Sequence, residues 1–109
     1  MAVFDSDAWL DGFIETGEFT FEWDAGNRTK NWARHGVTTE ECEEVFLTGS
    51  LPVGVQVDPP TGEPRYAVVG ETLALRALFV VFTIRHGKIR VVSAREMTET
   101  EREDYDLLR

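Results

Sequence analysis

The side chains best suited to proton transfer and anion chemistry are two histidines and a group of arginines spread through the second half of the chain. His35 ends the stretch KNWARHG, directly before Gly36. Imidazole is the side chain whose ordinary titration lies nearest neutral pH, so a held histidine there is a candidate for moving protons. The same position has a plainer reading, because Gly36 suits the left-handed residue that stops a helix and cations suit a helix C-terminus. Arg85, Lys88 and Arg90 surround His86 and Gly87, a dipeptide of the right length for a tight hairpin turn. Pairing across that turn sets Arg85 opposite Lys88, Thr83 opposite Arg90 and Val81 opposite Val92 on one face. The other face takes Ile84 with Ile89, Phe82 with Val91 and Val80 with Ser93, and is expected to join the core. Like charges crowded on the first face repel, and a bound anion would relieve them. Glu63, Glu71 or the acidic C-terminal segment could do so instead, as a surface ion-pair network of little energetic weight. Arg95 has the parity of the oily face but sits at a strand end, where a bulge can re-aim it.

The elements that must position these groups are punctuated clearly. Residues 5–16 allow a short helix carrying Trp9 and Phe13, weakened by Gly12. FTFEWD, residues 19–24, alternates like a strand, with Phe19, Phe21 and Trp23 on one face. Asp24 suits an N-cap for a helix running through Trp32 and Ala33 to Gly36. Thr38 and Glu41 have capping-box spacing, and Val37, Cys42, Val45 and Phe46 form the apolar stripe of a second helix that Gly49 ends. From Leu51 the period changes to two, giving strands at VGVQVD, RYAVVG, RALFVVFTIR and KIRVVSAR, with a Pro- and Gly-rich turn after the first. Thr98 and Glu101 repeat the capping-box spacing and open an acidic C-terminal helix. The expected order is β-α-α-β-β-β-β-α after an extra N-terminal segment. That is an α+β domain, with helices packed on one face of a mainly antiparallel sheet of about four to five strands.

Length and composition agree with one globular domain: 109 residues, 42% hydrophobic and 28% charged. No apolar run approaches a membrane span, and the start lacks the basic flank of a secretory signal, so the expectation is a cytoplasmic protein with no membrane association. The single cysteine, Cys42, forms no internal disulfide and reads as a small buried hydrophobe. With two histidines and one cysteine at no regular spacing, no metal site and no cofactor are expected. A net charge of −9 argues against long-range attraction to nucleic acid, yet it is unevenly distributed. Residues 1–20 hold five acids and no base, whereas residues 61–95 hold six cations against two acids, a local +4.

FEWD, then KNWARHGV, EPRYAVVG, VVFTIR with IRVVSAR, and an ER and a tyrosine in the last helix together resemble the BrnT family of toxins from type II toxin-antitoxin modules. The likeness spans residues 19–109, leaving 1–18 as an acidic extension. It implies a RelE-like fold and an endoribonuclease that cuts RNA without a metal. It also implies a BrnA-like ribbon-helix-helix antitoxin as partner, with operator DNA bound only through that antitoxin. In such a site His35 would move protons, while Arg65, Arg85 and Arg90 would hold the phosphate with planar, multiply donating heads. Lys30, Asn31, Lys88, Arg95 and Tyr105 are the expected RNA-binding residues. Tyr105 shares a helical face with Glu101 and could reach a phosphate or simply pack; Trp23, Trp32 and Phe79 could stack bases or belong to the core. His86 reads as a turn residue. The alternative function is a catalytically weak binding module that acts as co-repressor with a DNA-binding antitoxin.

Overall fold

A computed structural model describes residues 2–3, 20–28, 35–57 and 63–108. The expected helix over 5–16, and the helix before His35 with Lys30 and Asn31, lie outside the described residues. Five strands, β1 (Ala2–Val3), β2 (Leu51–Val57), β3 (Pro64–Glu71), β4 (Ala77–Arg85) and β5 (Lys88–Glu96), form one antiparallel sheet in sequence order. Two helices, α1 (Thr39–Leu47) and α2 (Glu99–Leu108), complete an α+β domain. The described helices are too short and polar to cross a membrane.

α1 starts where its capping box requires. Glu41 N–H donates to Thr38 Oγ1 at 3.1 Å and Thr38 N–H to Glu41 Oε1 at 3.0 Å, so two otherwise orphaned amides are satisfied. Its stripe, Cys42, Val45 and Phe46, is buried together with Val37 against Val68, Val80 and Phe82. Phe46 meets Phe82 edge-on at 5.1 Å, and Phe21 and Trp23 close the same core from the chain's earlier half.

The expected strand over 19–24 shrinks to a single parallel bridge of Phe21 with Ile89, fixed by Glu22 N–H to Ile89 O and Ile89 N–H to Thr20 O, both 2.8 Å. Pairing ends because Asp24 turns the chain. Its carboxylate accepts from Gly26 N–H at 2.8 Å and its carbonyl from Arg28 N–H at 2.8 Å, the bonds of an N-cap. The buried Asn27 side chain then donates back to Glu22 O and Val91 O, tying the turn to the edge strand.

The β4-β5 turn is as expected, with His86 and Gly87 both at positive φ, 54° and 73°, the requirement of a type I′ hairpin. Register matches through Phe82 and Val91, then shifts: Val81 pairs with Ser93 and Val80 with Ala94, leaving Val92 as a bulge residue rather than the partner of Val81. The extra residue turns Arg95 to the face opposite the α1 core, where its guanidinium lies 4.5 Å from the Phe79 ring centre.

That turn explains a second correction. The helices do not share one face: α1 covers the Val68 and Val80 side, whereas Tyr105 of α2 closes over Val69 and Phe79, which have the opposite parity. Val53, Val69 and Phe79 leave half of that face apolar, so it needed a cover of its own. Arg95 fastens the cover through Nη1 to Glu101 Oε1 at 2.7 Å and Nη2 to Glu101 Oε2 at 2.9 Å. Glu101 also completes the α2 capping box with Thr98, at 2.8 and 3.2 Å.

Candidate active site

Thr83 pairs with Arg90 across β4 and β5, and the β3-β4 register, continued one step beyond Tyr66 and Phe82, brings Arg65 beside Thr83. Alternation therefore lines Arg65, Thr83 and Arg90 across three strands on the face away from α1, with Arg85 and Lys88 one row nearer the turn. Thr83, 1% exposed, donates its hydroxyl to Pro64 O at 2.8 Å and supports the strand that carries Arg65. Arg65, Arg85 and Arg90 line a cleft of about 180 Å³ whose far wall is Gly26 and Asn27. Three guanidinium heads in a space this small match a single phosphate or carboxylate better than an extended ligand.

The cleft is not electrostatically bare. Arg85 Nε and Nη2 donate to Glu63 at 2.9 and 3.2 Å. Arg90 Nη1 donates to Asp24 Oδ2 at 2.8 Å and to Glu22 Oε1 at 3.0 Å, and its Nη2 to Asp24 Oδ1 at 3.1 Å. The hydrogen bonds that Arg90 donates to Asp24 and Arg85 to Glu63 raise both arginines above the usual guanidinium range, and the bond from Arg90, joined by one from the Gly26 amide, holds Asp24 below the usual carboxylate range. Glu63 is one of the partners that the sequence offered for the strand arginines, whereas Glu22 and Asp24 were missed although FEWD carries both.

Of the other expected site residues, Lys30 and Asn31 lie outside the described residues, and His35, Arg95 and Tyr105 stand away from the cleft. His35 is exposed and helical, and Gly36 follows it at φ +64°, so the helix stops as expected. Its end is held by Arg76: Nη1 donates to Gly36 O at 2.8 Å and Nη2 to His35 O at 3.2 Å. Arg76 precedes Ala77, while Arg85 ends β4, a strand of nine residues spanning about 27 Å. His35 therefore does not stand beside the arginine face, and the residue that satisfies the helix end, Arg76, is one that no sequence signal singled out. Arg95 is turned to Glu101, and Tyr105, 6% exposed, packs under α2. Phe79 and Trp23 serve as packing surfaces, and Trp23 Nε1 donates to Glu43 at 2.7 Å. Lys88 is exposed beside the cleft. Cys42 is buried, and burial with the neighbouring Glu41 and Glu43 carboxylates pushes its thiol up to about 12, which leaves it inert as a nucleophile. Among the described residues no three His, Cys, Asp or Glu side chains converge in a way that would hold a metal.

A family model described as "Ribonuclease toxin, BrnT, of type II toxin-antitoxin system" matches residues 23–101. The crystal structure of the Brucella abortus ribonuclease toxin BrnT superposes with a TM-score of 0.57 at 24% identity, over 74% of this chain and 99% of that one. The two share a fold. No curated protein sequence matches the chain.

Proposed function

Since the chain belongs to the BrnT family of ribonuclease toxins from type II toxin-antitoxin systems, we propose that it is a metal-independent endoribonuclease working in the cytoplasm on a RelE-like scaffold. Residues 19–109 make up the toxin domain and residues 1–18 an acidic extension. A BrnA-like ribbon-helix-helix antitoxin neutralises it and carries the pair to operator DNA. One observation carries this reading: Arg65, Arg85 and Arg90 converge on a cleft of phosphate size. Attack of an RNA 2′-hydroxyl on the adjacent phosphorus builds negative charge on the equatorial oxygens, and fixed guanidinium donors stabilise that charge most where it is greatest. Lys88, at the rim, lies beside the path of the flanking backbone, and Lys30 and Asn31 belong to the same RNA-binding set.

The test is incubation of purified protein with a defined RNA in the presence of a chelator. Cleavage to a 2′,3′-cyclic phosphate and a 5′-hydroxyl, lost in Arg85→Ala and Arg90→Ala, supports the reading; intact RNA with folded protein overturns it.

A second reading rests on the carboxylates. Glu63, Glu22 and Asp24 offset the guanidinium charge within the cleft, as expected of a binding module that acts as co-repressor. That reading predicts that Arg85→Glu with Arg90→Glu abolishes antitoxin binding while the unaltered protein cleaves no RNA.

A further inference from the structure

With His35 at the far end of β4, the arginine cleft still needs a group that moves the proton of the attacking hydroxyl. We propose that His86 is that catalytic residue and that Glu22 is the carboxylate that orients it, an inference that rests on the ribonuclease reading above. His86 follows Arg85 directly and is separated from Lys88 only by Gly87, at the turn end of the strands that carry the cationic face. Its Nδ1 lies 3.8 Å from Glu22 Oε2, and the other oxygen of that carboxylate accepts from Arg90 Nη1 at 3.0 Å. One carboxylate thus links the imidazole to a guanidinium that lines the cleft. With Nδ1 facing Glu22, Nε2 is the nitrogen presented outward from a side chain that is 87% exposed. His86 also holds φ +54°, a conformation that asparagine or glycine adopts more readily at this turn position, so the turn alone does not call for histidine. The sequence contains only two histidines, and His86 is the one that directly follows a cleft arginine.

In the reaction, Nδ1–H faces Glu22 and the Nε2 lone pair takes the proton from the 2′-hydroxyl. The O2′–P bond forms and the P–O5′ bond breaks. The departing 5′-oxygen takes a proton from solvent water, and the imidazolium returns its proton to the hydroxide left behind. Arg90 holds both the phosphate and Glu22, so it positions base and substrate together.

The experiment uses the full chain, a short RNA with one cleavage site, a chelator, and single-turnover conditions. His86→Asn keeps a residue suited to the turn. The expected result is a fall in cleavage rate of about 10²–10⁴-fold with little change in RNA affinity, partly restored by added imidazole, while the thermal midpoint is unchanged or higher. Glu22→Gln is expected to lower the rate by a smaller factor. On an RNA whose 5′-bridging oxygen is replaced by sulfur, a leaving group that needs no proton, the His86→Asn deficit persists. A deficit that vanishes on this substrate makes His86 an acid and overturns the assignment as base. Cleavage by His86→Asn within a few-fold of the unaltered protein overturns His86 and leaves the ribonuclease reading standing. No cleavage by the unaltered protein overturns both.

Discussion

Glu63 holds Arg85 by two near-parallel hydrogen bonds, 2.9 Å to Nε and 3.2 Å to Nη2, the same fork that a phosphate would use. Under the proposed ribonuclease function, RNA would have to displace this carboxylate. The exchange is feasible because an exposed surface ion pair contributes little. Glu63→Gln is accordingly expected to tighten binding of single-stranded RNA by up to about fivefold. Arg85→Ala should weaken it and reduce the salt slope by about 0.7, one phosphate contact on a single strand. Fluorescence titration at several salt concentrations measures both; unchanged affinity in Glu63→Gln would mean that phosphate does not use the Arg85 fork.

Gly70 is where α1 rests on the sheet. A Cβ there would stand 3.0 Å from Val45 Cγ1 and 3.4 Å from both Ser50 Cα and Val45 O. Backbone cannot yield as a flexible side chain would, so Gly70→Ala is expected to push α1 outward and destabilise the protein by about 1–3 kcal/mol. Urea denaturation with an unchanged m-value is the measurement, and an unaltered midpoint would show that α1 sits further from β3.

The secondary structure from Thr38 onward was largely legible because each signal was local. Two capping boxes, a positive-φ Gly at 36 and a two-residue turn at His86-Gly87 are short-range instructions, and the structure obeys all of them. The failures were failures of addition. One extra residue at Val92 moved Ala94 into the core and Arg95 out of it, and no alternating pattern announces where a bulge falls. That shift also places α2 across the opposite face, since Arg95 is what holds Glu101. For the site, Arg65, Arg85 and Arg90 were legible as cations on alternating positions. Their acidic partners Glu22 and Asp24 were not, because they arrive from a segment more than sixty positions away along the chain.

Arg95 and Glu101 are expected to act as a latch on α2. Arg95→Leu keeps contact with Phe79 but removes the fork; it should cost about 0.5–1 kcal/mol and raise hydrogen exchange across α2 before the rest of the fold. Glu101→Ala should cost more, about 1–2 kcal/mol, since it also removes one arm of the Thr98 capping box. Equal effects of the two substitutions would show that the cap contributes nothing beyond the ion pair.

Acid should release these latches together. The Arg95 guanidinium holds Glu101 below its ordinary 4.5 against an opposing push from burial; at Glu41 burial pushes upward, and Thr38 with Arg76 outweighs it. Asp24 is likewise held below 3.8 by Arg90. A carboxyl whose folded value is depressed binds protons more weakly folded than unfolded, so its stabilisation is complete above the unfolded value and is lost as pH falls through the folded one. Stability should therefore be flat with respect to these groups at neutral pH and decline progressively below about pH 4.5. Glu41 is the most consequential of the three. One protonation weakens its bonds with Thr38 and with Arg76, and Arg76 also holds the carbonyls of His35 and Gly36. Hydrogen exchange between pH 5 and 3 is expected to open Thr38 to Cys42 ahead of the sheet, and Glu41→Gln should flatten that pH dependence. Uniform opening of α1 and β4 across the same range would show that the Arg76 junction is not where the fold yields first.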